Sequence, residues 1–149
     1  MTQSDYSQED LSLKSLIVLS RAHHAVEEKI REDITKHGLN PTEFAVLELL
    51  YHKGDQPIQR IGEKILLSSG SITYVVDKLE KKEYLQRRRC PNDRRVIYAA
   101  ITGEGTELMR RIFPKHQQAV QEIFGELNEE EKQTFISLLK RVGLSLESR

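Results

Sequence analysis

Cysteine occurs once in these 149 residues, tryptophan not at all and proline four times. The lone Cys90 excludes an internal disulfide framework and a cysteine zinc cluster. No apolar run approaches the ~18 residues that a membrane span needs, and no charged segment leads into a short apolar stretch as in an export signal. The expectation is a soluble cytoplasmic chain with no membrane partner. Net charge is missing too, since 23 Lys and Arg balance 23 Asp and Glu. Taken as a whole, that balance excludes a generally basic nucleic-acid coat. Hydrophobic residues make up only 38%, which is lean for a self-sufficient globule. Either the core is small or a second chain supplies part of it.

What is present is mostly helical periodicity. The first nine residues are polar and expected to fray. From Asp10 to His37 there is no proline or glycine, and Leu19, Ala22, Val26, Ile30 and Ile34 recur at helical spacing. Leu13, Leu16 and Ile17 lie beside them, and Gly38 ends this long helix. Asn40-Pro41-Thr42-Glu43 then combines an N-cap, proline at the first helical position and a capping-box acid. It opens a helix bearing Phe44, Leu47, Leu50 and Tyr51. A short helix runs from Ile58 to about Leu66 with Ile61 and Ile65 inward, and Gly62 in its middle marks close approach of another helix. Ser68 is a suitable N-cap for a fourth helix over about 69–82, where Ile72, Val75, Val76 and Leu79 form the buried face.

The pattern then changes. Leu85 to Cys90 and Val96 to Ile101 flank Pro91-Asn92-Asp93-Arg94, which reads as a β-hairpin. Thr102 caps a further helix carrying Leu108, Ile112, His116, Ala119 and Ile123, with Pro114 inside it. Asn128 with Glu131 caps a last helix with Phe135, Leu138, Leu139 and Val142. The fold class is mainly α with a small β-hairpin wing. We read one domain, 1–149, with a helix-turn-helix lobe over 40–101 between long helices at 10–37 and 103–146.

Neutrality is an average. Residues 1–56 carry a net charge of −4, residues 57–101 carry +5 and residues 102–149 carry −1. The positive block therefore coincides with the helix-turn-helix and the hairpin, where Arg87, Arg88, Arg89, Arg94 and Arg95 are opposed only by Asp93. A major groove admits an α-helix. The buried stripe of helix 69–82 leaves Ser69, Ser71, Thr73, Tyr74, Lys78 and Lys81 pointing outward. Ser69, Ser71 and the helix N-terminus suit phosphates or base edges. Thr73 and Tyr74 suit base edges, and Lys78 and Lys81 suit phosphate. Tyr74 has an equal claim to a half-buried packing role. Arginines at a hairpin tip, with Arg88 and Arg94 among them, suit a narrow A·T-rich minor groove.

Other chemistry fits poorly. No phosphate loop or paired acid–base set is present, so an enzyme is not expected, and no cofactor is called for. His23 and His24 are adjacent, about 100° apart on a helix, and cannot chelate a metal as an i, i+4 pair would. With Phe44, Tyr51 and His116 they are candidates to line a pocket for a small aromatic effector. Cys90 reads first as a strand residue with a packed thiol. Its second reading is a thiol activated toward electrophiles by the surrounding arginines. A helical dimer that scaffolds a protein partner without specific DNA binding is the alternative function.

Three stretches resemble the MarR family of winged helix-turn-helix transcriptional regulators. They are Leu39-Asn-Pro-Thr-Glu-Phe-Ala-Val-Leu47, Ser71-Ile-Thr-Tyr-Val-Val-Asp-Lys-Leu-Glu80 and Asp93-Arg-Arg-Val-Ile-Tyr-Ala-Ala-Ile-Thr102. The resemblance implies a homodimer joined by its terminal helices, bound to double-stranded DNA at a palindromic operator. It also implies Arg95, oriented by Asp93, in the minor groove with Arg94 nearby, and repression relieved by a small molecule. Dimerisation would account for the lean composition. Two departures stand out. Glu83 occupies a position where the family usually has glycine, which strains it if αL geometry is required. The first helix also lacks the cysteine of the family's peroxide-sensing branch. Residues 46–57 and Cys90-Pro91 look most like a branch that responds to quinones, catechols or related phenols.

Overall fold

The computed structural model describes residues 10–65 and 69–147. The expected fraying of residues 1–9, the helix end at Leu66 and the Ser68 cap all lie outside the described residues. Helix α1 (Leu11–Thr35) starts where the Asp10 carboxylate accepts the Ser12 and Leu13 amides, and it ends ahead of Gly38 at φ 79°. Helix α2 (Pro41–Lys53) opens on a complete capping box. Asn40 Oδ1 accepts the Glu43 amide at 2.7 Å, and Glu43 Oε1 accepts the Asn40 amide at 3.0 Å. Strand β1 (Gln56–Pro57) leads into α3 (Ile58–Lys64), followed by α4 (Ser69–Lys81). Strands β2 (Leu85–Arg89) and β3 (Ile97–Ile101) come next, then α5 (Gly103–Ile123) and α6 (Glu129–Glu147).

The hairpin is part of a larger sheet than the sequence suggests. β3 pairs antiparallel with β2, Arg88 opposite Tyr98, and on its other edge with β1, Gln56 opposite Ala99. A two-residue strand containing proline carries almost no local signal. Pro57 is tolerated because β1 is an edge, where its missing N–H is not needed. Cys90 is likewise not a strand residue. It stands one position past β2, half-buried, with its amide donating to Val96 C=O at 3.0 Å.

The core sits under the helix-turn-helix. Ile72, Val75, Val76 and Leu79 of α4 are buried against Phe44, Val46, Leu47 and Leu50 of α2, Ile61 of α3, Leu85 and Ala99 of the sheet, and Leu108, Met109 and Ile112 of α5. The apolar stripe of α1 is buried only at its end. Ile34 is buried, Ile30 and Val26 are half-buried, and Leu19 and Ala22 are exposed. Helix α6 has no buried residue within this chain.

α4 ends in a Schellman turn. The Tyr84 amide donates to Leu79 C=O and the Glu83 amide to Glu80 C=O, both at 3.0 Å. Glu83 takes φ 67°, the only positive φ among the described non-glycine residues. The geometry that the family's glycine serves is thus adopted here by a glutamate.

Candidate nucleic-acid interface

Burying the apolar stripe of α4 fixes what the opposite face presents. Ser71, Thr73, Tyr74 and Lys81 are exposed, and Lys78 is half-buried. Nothing is described for the side chain of Ser69. Tyr74 is 64% exposed, which decides against a packing role. The Lys78 ammonium lies 5.6 Å from the Tyr74 ring centroid, so cation and ring form one surface feature.

The hairpin carries the second feature. Asp93 Oδ1 accepts both the Arg95 amide (3.0 Å) and Arg95 Nε (3.2 Å), and Oδ2 lies 3.4 Å from its terminal nitrogen. Arg95 donation lowers the Asp93 carboxyl below the usual aspartate range. Yet the Arg95 side chain stays 91% exposed. A short acidic residue two positions back therefore aims a long cation outward without covering it. Arg94 is exposed beside it. Arg88 lies further back, in the strand body, 3.6 Å from Asp55.

Arg87 behaves differently from its neighbours. One terminal nitrogen donates to Glu80 Oε1 and the other to Asp77 Oδ1, both at 2.6 Å, while its amide donates to Glu80 Oε2 at 3.3 Å. Desolvation opposes its charge, but the two carboxylates outweigh it and raise the guanidinium pKa. This arginine ties the wing to α4, its charge answered by two carboxylates of the chain itself. Run density alone could not distinguish it. The signal was its place two residues after inward-facing Leu85, on the strand face that turns toward α4.

The five residues grouped as pocket lining separate. Phe44 and His116 meet in a tilted ring contact with centroids 4.5 Å apart, and His116 Nδ1 sits 3.2 Å from Asp33 Oδ2. Tyr51 joins them through Phe113, 6.3 Å from each of Tyr51 and His116. His52, which the sequence reading missed, packs on Phe113 at 4.7 Å. His23 and His24 do not belong to this cluster. Both are exposed on α1, where His23 pairs with Glu27 one turn on, at 3.0 Å. That i, i+4 carboxylate was the available clue. A groove of about 640 Å³ does open between α1 and α5, lined by Ala22, Ala25, Val26, Asp33, Ala119 and Ile123 among others, but by none of the five.

A solvent-facing helix of mixed polar and basic side chains, with an arginine-tipped hairpin braced against it, is the geometry of a winged helix-turn-helix. The family model described as MarR family matches residues 39–97. The HTH-type transcriptional regulator MhqR of Bacillus subtilis (strain 168) is 60% identical over 134 residues, covering 90% of this chain and 92% of that protein. Two solved structures share the fold. AbsC, a MarR family transcriptional regulator from Streptomyces coelicolor, aligns with a TM-score of 0.87 at 20% identity, over 94% of this chain and 97% of its own. Sco3205 from the same organism, in complex with DNA, aligns with a TM-score of 0.82 at 24% identity, over 94% and 88%. The chain belongs to the MarR family and is a DNA-binding transcriptional regulator, not an enzyme.

Proposed function

We propose that two copies of this chain form a homodimeric repressor that binds a palindromic operator and is released by a small aromatic or electrophilic effector. In this reading each α4 enters a major groove, with Ser71, Thr73, Tyr74, Lys78 and Lys81 toward the DNA. Each hairpin tip enters the flanking minor groove. The observation that carries it is Arg95, held by Asp93 and exposed at the tip. The fold shared with Sco3205, a protein solved with DNA, supports the same placement.

Pairing of two chains is supported by what the monomer leaves uncovered. Leu11 is 75% exposed, with Leu16, Val18 and Leu19 exposed after it on α1. On α6, Phe135, Leu138, Leu139, Val142 and Leu146 lie within one broad exposed face. Such a contiguous apolar surface marks an interaction site. The Phe44–Tyr51–Phe113–His116 cluster lies between α2 and α5 and reaches the C-terminal end of α1 through the His116–Asp33 contact. An aromatic effector stacking there would alter how the terminal helices meet the DNA-binding lobe.

The test is a mobility shift on a duplex selected by the protein from random-sequence DNA. An inverted repeat with half-sites about one helical turn apart is expected. Arg95→Ala should weaken binding strongly at A·T-flanked half-sites, and Lys81→Ala should flatten the salt dependence. Failure of both substitutions to alter affinity would sink this placement. Adding a quinone to Cys90→Ser beside the parent separates two routes of release. Equal release assigns the response to the aromatic cluster, and lost release assigns it to the thiol.

A further inference from the structure

Glu43 is the only buried charged residue among the described residues, 2% exposed. Its capping role does not explain this burial. The second capping box has the same wiring, Asn128 amide to Glu131 Oε1 at 2.9 Å and Glu131 amide to Asn128 Oδ1 at 2.8 Å, on a glutamate that remains exposed. Capping uses only Oε1 of Glu43. Its other oxygen, Oε2, accepts from Lys82 Nζ at 2.8 Å.

Lys82 follows the last residue of α4, and its ammonium also lies 3.5 Å from the carbonyl of Gly38, which ends the turn after α1. One cation thus gathers the end of α1, the start of α2 and the end of α4. Burying a carboxylate is unfavourable unless it is paired and hydrogen-bonded. Removing Lys82 leaves an uncompensated buried charge on Glu43. The next residue, Phe44, meets His116 of α5, which is paired with Asp33 of α1. Two successive residues of α2 therefore touch different neighbours. Glu43 holds the C-terminal end of α4, and Phe44 packs on the aromatic cluster.

We infer that Glu43 and Lys82 are a positioning pair for DNA binding. Their ion pair seats α4 against α2 and passes to α4 any shift of α2 produced at the aromatic cluster. Lys82 acts through Glu43 and not by touching phosphate, although it adjoins Lys81 at the C-terminal end of α4. This rests on α4 being the helix that enters the groove, and the experiment separates the two ideas.

Salt dependence distinguishes a positioning lysine from a phosphate-binding one. Each lost phosphate contact lowers the slope of log affinity against log salt by about 0.9. On the selected duplex, Lys82→Met and Glu43→Gln should each weaken binding about tenfold with the slope unchanged. Glu43→Gln keeps an oxygen for the Asn40 amide, so the cap survives. The double variant should be little weaker than either single one, because both remove one interaction. Lys82→Arg should restore most of the affinity. Lys81→Met is the control and should lower the slope. If Lys82→Met lowers the slope while Glu43→Gln binds as the parent does, Lys82 is a phosphate contact and the pair has no positioning role. If neither variant changes affinity while Lys81→Met and Arg95→Ala do, the inference is wrong and the DNA-binding face stands.

Discussion

Gly105 and Tyr84 meet with no room for a side chain between them. A Cβ on Gly105 would collide with the Tyr84 carbonyl oxygen and would come within 2.8 Å of Ile101 Cγ1. That oxygen already accepts the Thr102 amide at 3.0 Å, and Thr102 Oγ1 donates to the Glu83 carbonyl at 2.6 Å. The end of α4, the start of α5 and the last residue of β3 are thus fastened at one point. Gly105→Ala must separate backbone from backbone, and overpacking of this kind costs about 1–3 kcal/mol. Urea unfolding at matched protein concentration should show that loss. Gly103→Ala, where a Cβ meets nothing within 4 Å, should not.

Glu83 gives the opposite sign. At φ 67° its Cβ is strained in the αL region, which glycine enters without penalty. Glu83→Gly should stabilise the chain by about 1 kcal/mol, the αL strain less the extra backbone entropy of glycine. Glu83→Ala retains the strain and should gain nothing. A rise in thermal midpoint for the glycine variant alone is the expected measurement.

Arg87 should separate wing geometry from wing charge. Its fork joins Asp77 and Glu80 across two elements, but all three side chains keep some solvent contact. After discounting for that exposure, Arg87→Met should cost about 1 kcal/mol of stability. DNA affinity should fall because the wing loses its brace, while the salt slope stays that of the parent. Arg94→Met should do the reverse, lowering the slope and leaving stability unchanged.

These residues also show what could be read before the fold. Asn40 with Glu43, Asn128 with Glu131, and Thr102 are written in contiguous residues, and each forms the hydrogen bonds its spacing implies. The buried face of α4 was legible for the same reason, because helical period is local. Arg87 and Lys82 were not. Both look like members of a basic run, and only the packing of β2 and α2 against α4 brings carboxylates to them. His23 and His24 stand apart from the aromatic cluster, because proximity on one helix says nothing about which face another helix covers. β1 was hidden because its pairing partner lies about forty residues along the chain, and pairing at that range leaves no local period.

Acid should act on the Glu43–Lys82 pair in a direction that depends on Lys82. Burial pushes the Glu43 carboxyl upward, but the Lys82 hydrogen bond, the Asn40 amide and the charges of Lys82 and Lys78 together bring it below the ordinary glutamate value. A folded-state pKa below the unfolded one, about 4.3, means that ionised Glu43 contributes stability above that pH. The contribution disappears as pH falls through the lower folded value. The parent should therefore lose stability from Glu43 on acidification below about pH 4.3. Lys82→Met removes the largest lowering influence and leaves desolvation, the largest influence of all, opposed only by the Asn40 amide and the Lys78 charge. Protonation of Glu43 then relieves a buried charge, so acid should narrow the stability gap between variant and parent. Urea unfolding of both proteins between about pH 6 and pH 4 reads this directly, since groups common to both cancel in the difference. A gap that stays constant across that range would show that Lys82 does not govern the ionisation of Glu43.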